Sequence, residues 1–333
     1  MKLLFALSFL IYIPLLKPCC QSNNAYSVLF YNVENLFDCQ NDSLTRDEEF
    51  LPDGEKNWTP YRMHQKIKGI SKTILTCNQW EAPDLIGLCE IENEYVLKQL
   101  VYQTGLASLN YRYVHFDSPD KRGIDVAFLY RKGRFDLIES SPIHLSNNKQ
   151  GFFTRDALYL KGIIAKDTIH LIINHWPSKR GGSLASEEKR KAVAHLIIAK
   201  IDSIKQTEHQ PKIIAMGDFN NEYNSPSLQL LIKQAQLESS SKPNIKLTDK
   251  VGGSYKYKGV WTLIDHIVIS KHWLENQDNE FTYQVCSLPH LLEKDATHSG
   301  YKPKRTYAGP RYVGGISDHL PILLTISQSK THN

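Results

Sequence analysis

The sequence predicts an α/β protein in which helices cover buried, mixed β-sheets. Short apolar runs alternate with amphipathic segments along most of the chain. Polar and turn-forming residues bound the apolar runs, which is typical of buried strands. Some of these strands follow one another closely in pairs, so the sheets should be mixed rather than all-parallel. No repeat or long linker interrupts the pattern, and we expect one domain over residues 25–328.

The predicted strands are short and mostly apolar. They lie at 26–31, 84–89, 111–116, 124–130, 158–164, 168–173, 212–216, 263–269 and 320–326. Thr59 followed by Pro60 is a typical helix start, because threonine caps the first free N–H groups and proline fits the first helical position. The helical spacing of Met63, Ile67, Ile70 and Ile74 gives this helix one apolar face. A long helix over about 187–204 is predicted to begin beneath Ser186, with Glu187 and Glu188 in its positive first turn.

Composition bounds the function without naming it. The chain has 333 residues, of which 41% are hydrophobic and 23% charged, as in an ordinary globular protein with a full core. The formal charge of +5 becomes +3 if the first 20 residues are removed, because Lys2 and Lys17 leave and no acid does. Such a mildly basic balance permits binding to a polyanion but does not by itself demonstrate it.

The N-terminus is typical of an exported protein. Lys2 precedes the apolar stretch Leu3 to Leu16, which is too short to span a bilayer and matches a signal peptide over residues 1–20. A buried N-terminal helix is the alternative. We expect a periplasmic or extracellular location, with a lipid anchor on Cys19 or Cys20 as a variant that the preceding Lys17-Pro18 does not favour.

Four further cysteines lie in the predicted domain. Cys39, Cys77, Cys89 and Cys286 are far apart and form no CxxC pair, so a zinc site is not predicted. One disulfide is permitted in an oxidising compartment, although the sequence does not assign it.

Polar residues recur where predicted strands end. They are Asn32, Glu90, Asp125, Arg155, Asn174, His175, Asp218, Asn220, Asp265, His266, Asp318 and His319. A single Asp-His pair is usually a turn or a satisfied buried contact, but this set suits hydrolysis of a phosphate ester. Oxygen ligands such as Glu90 suit Mg²⁺, with Mn²⁺ as an alternative. Asp218 and Asn220 could handle the attacking water, and His319 could stabilise phosphoryl oxygens if Asp265 holds its second ring nitrogen.

Six motifs resemble the endonuclease/exonuclease/phosphatase superfamily in their order. They are Tyr31-Asn32-Val33-Glu34-Asn35, Leu88-Cys89-Glu90-Ile91-Glu92, Asn174-His175-Trp176-Pro177-Ser178, Gly217-Asp218-Phe219-Asn220, Leu263-Ile264-Asp265-His266 and Ser317-Asp318-His319. The resemblance covers about residues 26 to 327. That superfamily includes deoxyribonuclease I, abasic-site endonucleases, sphingomyelinases and inositol-polyphosphate 5-phosphatases. It implies a four-layered α/β sandwich, with two mixed sheets packed face to face and helices outside.

The resemblance also implies roles for individual residues. Glu90 is the principal metal ligand, Asn32 lies close to the metal, and Asp318 helps to place metal or water. Asp218 and Asn220 handle the attacking water, while His319 binds phosphate with Asp265 as its orienting partner. His175 is a second active-site histidine, acting as a general acid or a phosphate contact.

Three assignments keep an alternative. Asp125 is either the acid that faces His175 or a turn aspartate. Arg155, with Asn174, is expected to bind substrate phosphate, although a surface ion pair with Asp156 is the alternative for Arg155. Glu34 and Glu92 are expected either to lie directly behind the site residues or to be at the surface, and His266 is expected to point away from the site into packing.

The resulting expectation is a secreted, Mg²⁺-dependent phosphodiesterase that hydrolyses nucleic acid and acts as a monomer without an obligate protein partner. Two basic loops, Lys179-Arg180-Gly181-Gly182 and Lys302-Pro303-Lys304-Arg305, could hold its backbone. The alternative within the same fold is a phosphatase, a sphingomyelinase or an inositol-phosphatase-like enzyme. For a lipid substrate, Val251 to Trp261 is the only candidate docking loop. A non-catalytic binding protein is not favoured, because none of the site acids is missing.

Overall fold

A computed structural model describes residues 25–145, 154–179, 182–240 and 251–328. The predicted signal peptide, with Cys19 and Cys20, lies outside these ranges. None of the helices in the described ranges is both long enough and apolar enough to cross a membrane.

The chain alternates strands and helices as predicted, with more elements than the sequence indicated. The strands are β1 (Tyr26–Leu36), β2 (Leu85–Ile91), β3 (Tyr111–His115), β4 (Asp125–Arg131), β5 (Phe135–Ile143), β6 (Ala157–Ile164), β7 (Asp167–His175), β8 (Lys212–Asp218), β9 (Leu237–Ser239), β10 (Tyr255–Tyr257), β11 (Val260–Thr262), β12 (Asp265–Ser270), β13 (Asn279–Val285), β14 (Leu292–Lys294), β15 (Tyr301–Pro303), β16 (Tyr307–Ala308), β17 (Arg311–Tyr312) and β18 (Ile322–Gln328). The helices are α1 (Pro60–Thr76), α2 (Glu94–Tyr102), α3 (Ser183–Thr207), α4 (Pro226–Ala235) and α5 (Lys271–Leu274).

Most of the strands form two mixed six-stranded sheets. The first has the order β13-β18-β1-β2-β4-β3, and the second has the order β5-β6-β7-β8-β12-β9. One neighbouring pair in each sheet is parallel, β1 with β2 and β7 with β8, whereas the other pairs are antiparallel. The predicted α/β fold with mixed sheets is therefore confirmed.

The two sheets pack face to face and carry helices on their outer faces. Phe30, Met216 and Ile267 belong to the apolar core between the sheets. A second core joins α1 and α2 to the first sheet, and a third joins α3 and α4 to the second sheet. These four layers are the predicted sandwich.

Helix α1 shows how the sequence directs this packing. The Thr59 side chain accepts a hydrogen bond from the Arg62 N–H, and Pro60 occupies the first position. The four predicted face residues are all buried in the helix-facing core: Met63, Ile67, Ile70 and Ile74. Burying each such side chain contributes about 1.5–3 kcal/mol to stability, so the periodicity fixes which face meets the sheet.

Helix α3 starts earlier than predicted. It begins at Ser183, and Ser186 lies in its first turn, where the hydroxyl donates to the Gly182 carbonyl at 2.7 Å. The prediction of a start beneath Ser186 was wrong because a serine hydroxyl can bond back to the carbonyl four residues earlier as readily as it can cap.

The cysteines within the described domain are free thiols. Cys39, Cys77, Cys89 and Cys286 form no disulfide with one another. Cys286 and Cys77 lie next to each other, with the Cys286 thiol 3.8 Å from the Cys77 carbonyl oxygen.

The parallel pairs position the site. Because parallel strands end at the same edge, β1 and β2 bring Asn32 and Glu90 to one end of the first sheet, and β7 and β8 bring His175 and Asp218 to one end of the second. Asn32 and Asp218 touch across the interface, so these two ends coincide.

Candidate active site

Glu90 reaches the site through an irregularity in the sheet. The pairing of β2 shifts register on both sides, between Asn32 and Leu36 on β1 and between Cys89 and Ile91 on β2. Glu90 there has a φ of 64°, in the left-handed region that non-glycine residues avoid. A residue held in this way costs about 1–3 kcal/mol, and such strain is concentrated at functional sites. The shift aims the carboxylate at the end of the sheets instead of across one face.

Asn32 joins the two sheets at this end. Its amide nitrogen donates to Oδ2 of Asp218 at 3.1 Å and approaches Oε1 of Glu90 at 3.4 Å. The Asn35 N–H donates to the other oxygen of Glu90 at 2.8 Å. A buried amide that bridges two carboxylates holds them close together despite their mutual repulsion.

Asp218 is placed by a close approach of strands. A side chain on Gly217 would lie 2.3 Å from the Asn174 carbonyl oxygen, so only glycine allows β7 to pair here. The next residue, Asp218, is buried, and its Oδ1 accepts the Asn220 N–H at 2.8 Å. Burial raises the pKa of Asp218 to about 7, with Asp265 and Glu90 adding to the rise and His319 opposing it. A carboxylate that titrates near neutrality is suited to accept a proton from water.

His319 is held by a carboxylate, as the sequence led us to expect. Its Nδ1 donates to Oδ2 of Asp265 at 2.8 Å, and the same oxygen accepts the Ser254 hydroxyl at 2.5 Å. Burial alone would lower the pKa of His319, but Asp265 and Asp218 outweigh it and raise the pKa well above its usual value. His319 is therefore a cation, with Nε2 3.8 Å from Asp218 and free to face a phosphoryl oxygen.

His175 is neutral, in contrast to cationic His319. The Arg155 guanidinium donates to its Nε2 at 2.9 Å, so that nitrogen is an acceptor and the proton sits on Nδ1. Burial and the positive charge of Arg155 lower the pKa of His175 well below its usual value. Nε2 also lies 3.7 Å from Asp218 and 3.8 Å from Glu90, which places the ring between both acids. In this arrangement His175 is a neutral acceptor, and the general-acid option for it is not supported.

Arg155 is anchored from the loop between β3 and β4. Its Nη1 donates to Oδ2 of Asp120 at 3.0 Å, and its Nη2 also lies 3.3 Å from the Trp176 carbonyl. The side chain is buried, so the alternative of a surface ion pair with Asp156 was wrong. Instead, Asp156 contacts His144 at 2.7 Å.

Two predicted assignments differ from the structure. Asp125 does not face His175: it contacts His115 at 3.3 Å and the Ser118 hydroxyl. The pairing of β4 explains this. Asp125 lies opposite Ile91 on β2, and His115 lies on β3, the other neighbour of β4, opposite Ala127.

Asn174 is the other assignment that differs. It is fully buried, and its amide nitrogen donates to the carbonyls of Ile172 and Met216. Successive residues of a strand face opposite ways, so Asn174 points away from the site into which His175 points. It cannot bind substrate phosphate in this arrangement.

Asn220 and Asp318 line the rim. Asn220 adopts a left-handed φ of 51°, and its amide nitrogen donates to the Trp176 carbonyl at 3.0 Å. Asp318 is partly exposed, with Oδ2 3.2 Å from the Arg305 guanidinium and Oδ1 4.0 Å from His319. Both remain beside the centre in which the sequence placed them.

His266 and Glu92 lie outside the centre, whereas Glu34 borders it: its carboxylate accepts the Thr306 N–H at 2.7 Å, and burial together with the charge of Asp318 raises its pKa to about 8. His266 is buried against the Phe219 ring and contacts the Asn221 carbonyl at 2.9 Å. Glu92 accepts the Asp38 N–H at 2.5 Å, away from the catalytic cluster.

A buried lysine was missed. Lys66 on α1 donates to the Thr306 hydroxyl at 2.5 Å and to the Ile316 carbonyl at 2.7 Å. Burial lowers its pKa to about 8, although Glu34, Asp318 and Glu90 all oppose that fall. The signal was present, because Lys66 lies within the apolar stripe of α1 where a lysine has no simple reason to be.

The donor set fits a hard divalent cation. Among the described residues, no lysine or arginine lies within 4.0 Å of Glu90, and its partners, the Asn35 N–H, Asn32 and neutral His175, carry no positive charge. Glu90, with Asn32 beside it, would hold Mg²⁺ or Mn²⁺, which prefer oxygen ligands, whereas Asp318 contacts Arg305 and His319 on the rim. Asp218, Asp265 and His319 form a second group whose ligand atoms lie within 4.8 Å of one another. A cation would supply charge neutralisation at the phosphoryl oxygens.

The arrangement as a whole suits attack of water on phosphorus. Asp218 can accept the proton of water, and His319 offers positive charge to the phosphoryl oxygens. The terminal nitrogens of Arg155 are instead bonded to Asp120, His175 and the Trp176 carbonyl. Asn32 keeps the two acids in place. These side chains converge from both sheets, so neither sheet alone forms the site.

Solved structures of similar fold are known. An endonuclease/exonuclease/phosphatase family protein from Bacteroides thetaiotaomicron shares 17% identity with a TM-score of 0.58, over 93% of this chain and 97% of that one. The human Nocturnin catalytic domain shares 17% identity with a TM-score of 0.57, over 92% and 95%. Truncated Caenorhabditis elegans TDP2 shares 17% identity with a TM-score of 0.55, over 91% and 97%. No curated protein sequence matches the chain.

The similarity to these structures shows the fold alone, whereas the match of the sequence to a family model shows the family. The profile described as Endonuclease/Exonuclease/phosphatase family matches residues 27–328, nearly the whole described domain. Joined to the acids and histidines at the sheet ends, this match shows that the chain belongs to the endonuclease/exonuclease/phosphatase family and is a phosphoesterase.

Proposed function

We propose that this phosphoesterase is a divalent-metal-dependent nuclease that hydrolyses phosphodiester bonds of nucleic acid. Mg²⁺ is the proposed ion, and Mn²⁺ would substitute. The proposed form is an exported monomer that needs no protein partner for activity.

The distribution of positive charge carries the proposal. Arg122 lies on the His175 side of the buried centre, and Arg305 lies on the Asp318 side. Both side chains are partly exposed, at 37% and 38%. A small monoester needs charge only at its single phosphate, whereas a polyanion presents phosphates on both sides of the bond that breaks. Arginines flanking the centre on both sides fit the polyanion. The Nocturnin domain is described with a bound sulfate anion, which agrees with anion binding in this fold.

The export part of the proposal rests on the sequence of residues 1–20 alone. The test is to express the full chain in a bacterial host and to compare the mass of the product in the cytoplasmic, periplasmic and membrane fractions. A periplasmic product that lacks residues up to about 20 supports export. A full-length cytoplasmic product contradicts it, and a membrane-bound product whose mass has increased by a lipid indicates an anchored form.

Hydrolysis assays test the activity. The chain from Gln21 onward is incubated with plasmid DNA, RNA, bis-p-nitrophenyl phosphate, p-nitrophenyl phosphate and sphingomyelin vesicles, with Mg²⁺, Mn²⁺ or EDTA. Asp218→Asn is the matched control, because it keeps the shape of the side chain. Metal-dependent cleavage of DNA or RNA that the variant lacks supports a nuclease. Cleavage confined to p-nitrophenyl phosphate or to sphingomyelin overturns it in favour of a phosphatase or a lipid phosphoesterase.

A further inference from the structure

A two-stranded hairpin continues from the catalytic histidine to an exposed aromatic side chain. Strands β10 and β11 pair antiparallel, with Tyr255 opposite Thr262 and Tyr257 opposite Val260. The Tyr255 ring lies 4.9 Å from the His319 ring, and its backbone pairs with His319. The hairpin therefore begins within the active site.

The hairpin has one packed face and one open face. Lys256 and Trp261 form the cross-strand pair of the packed face, where Lys256 is buried against Asp295 and the carbonyls of Ser299 and Tyr301. Because side chains alternate along a strand, the neighbouring pairs must face the other way. On that open face Tyr257 is 59% exposed and Val260 is 63% exposed.

The open face leads outward from the phosphate-handling centre. Tyr255 is half-buried, contacts His319 on one side and lies near the Arg305 guanidinium. Tyr257 follows two residues later on the same face, about 7 Å further along the strand. An aromatic face thus lies about one nucleotide step from the atoms that would hold the scissile phosphate.

We propose that the open face of this hairpin is a base-binding subsite, in which Tyr257 stacks on the nucleobase next to the scissile phosphate. This inference rests on the proposed nuclease function and deepens it by assigning a contact to the substrate base. Stacking on an aromatic ring is tolerant of sequence, since every base has a π-face. It therefore predicts a preference for unpaired over paired substrate at this position, because the base must leave its own stack to reach the ring.

Charge favours a nucleobase over an acyl chain as the occupant. The Lys258 ammonium lies 5.4 Å from the centre of the Tyr257 ring, and Arg305 lies beside Tyr255. A base arrives joined to phosphates, which these cations attract, whereas a membrane-docking surface would present a broad apolar area. A single exposed tyrosine and a valine beside two cations fit the phosphate-linked base.

The experiment combines protein variants with base-deleted substrates. Each substrate is a single-stranded oligonucleotide with one phosphodiester among phosphorothioate linkages, carrying both flanking bases or lacking one of them. Tyr257→Ala is expected to raise KM about 5- to 150-fold on the intact substrate, the range that corresponds to loss of one stacked base. On the substrate that lacks the stacked base, the same variant should match the wild type. Tyr257→Phe should stay within about 2-fold of the wild type on both, because the ring is retained.

The control is Trp80→Ala. Trp80 is 76% exposed but precedes β2, at the end of the sheets opposite the site, and its removal should change no kinetic constant. Equal KM values for Tyr257→Ala and wild type on the intact oligonucleotide would overturn the subsite while leaving the nuclease function in place. If the wild type cleaves no oligonucleotide but hydrolyses bis-p-nitrophenyl phosphate, the nuclease proposal fails and the subsite fails with it. A Tyr257→Ala loss confined to sphingomyelin vesicles would assign the hairpin to lipid.

Discussion

Two buried aspartates at opposite ends of the sheets differ in their surroundings. Asp84, at the start of β2, is 5% exposed, accepts the Ser27 N–H and is paired with Arg134 at 2.9 Å and Arg131 at 3.6 Å. Asp218, at the end of β8, is 2% exposed and lies among other acids, with no arginine or lysine of the described chain within 4.0 Å. The same residue type is balanced by charge at one end and left reactive at the other. Burial alone therefore does not mark a catalytic acid, whereas burial among other acids with no arginine or lysine paired to it does.

The largest expected effect is the loss of turnover when Asp218 is replaced. Asp218→Asn removes the group that can accept a proton from water, and we expect kcat to fall by about 10³-fold or more. The fold should persist, because asparagine keeps the shape and can still receive the Asn220 N–H. The measurement is steady-state hydrolysis of bis-p-nitrophenyl phosphate beside a circular dichroism spectrum. Near-normal turnover in a folded variant would remove Asp218 from the catalytic assignment.

The next effect concerns stability and pH. The folded-state pKa of Asp218 is about 7, above its usual value near 4, so the folded state binds its proton more tightly than the unfolded state. The stability that this proton provides is complete below about pH 4 and is lost as pH rises toward 7. The pKa of His319 is also raised, which gives a loss in the same direction at higher pH. In EDTA, we expect wild type to lose about 2–3 kcal/mol more unfolding free energy than Asp218→Asn between pH 5 and pH 8.

Denaturant unfolding at the two pH values provides the measurement. The comparison with Asp218→Asn removes the contribution of every other titrating group that both proteins share. An equal pH dependence in the two proteins would mean that Asp218 is not a strained acid, and the contrast with Asp84 would disappear.

The fold was predictable because its signals are local. Apolar runs mark strands wherever both faces are buried, and the Thr59-Pro60 start of α1 is encoded within two residues. Helices α2 and α4 and strand β13 were not predicted, because short amphipathic or partly exposed segments give weak periodicity. Element boundaries also differed, as at α3, where Ser186 bonds back to the Gly182 carbonyl within the first turn instead of capping the helix.

The site was predictable as a set but not as contacts. Motif order named Glu90, Asp218 and His319, whereas the pairing of Arg155 with His175 depends on where two distant loops meet. Asp125 contacts His115 because of the register of strands β2, β4 and β3, and a linear sequence does not encode that register. Three-dimensional contact decides proton location, and so the neutral state of His175 followed only from the structure.

A smaller effect, on stability alone, is expected when Asp84 is replaced. Asp84→Asn removes a charge that two arginines and a backbone N–H share, and we expect the free energy of unfolding to fall by about 1–3 kcal/mol. The kcat of the folded variant should match wild type, because the change lies at the far end of β2. Denaturant unfolding and kcat at a temperature well below the transition give the two numbers. A large loss of kcat with normal stability would show that the two ends are coupled.

The smallest expected effect tests the reassignment of Asp125. If Asp125 oriented His175, Asp125→Asn would disturb the charge state of that ring and change the pH profile of kcat. The structure instead joins Asp125 to His115 and Ser118, and the neutral state of His175 depends on Arg155. We therefore expect the profile of Asp125→Asn to overlay that of wild type, with at most about 1 kcal/mol of stability lost.

Arg155→Lys is the matched contrast: it keeps the charge but loses the forked donor that reaches both His175 and Asp120, and it should lower kcat/KM about 10- to 100-fold. A shifted profile in Asp125→Asn with an unchanged Arg155→Lys would reverse the two roles and restore Asp125 as the partner of His175.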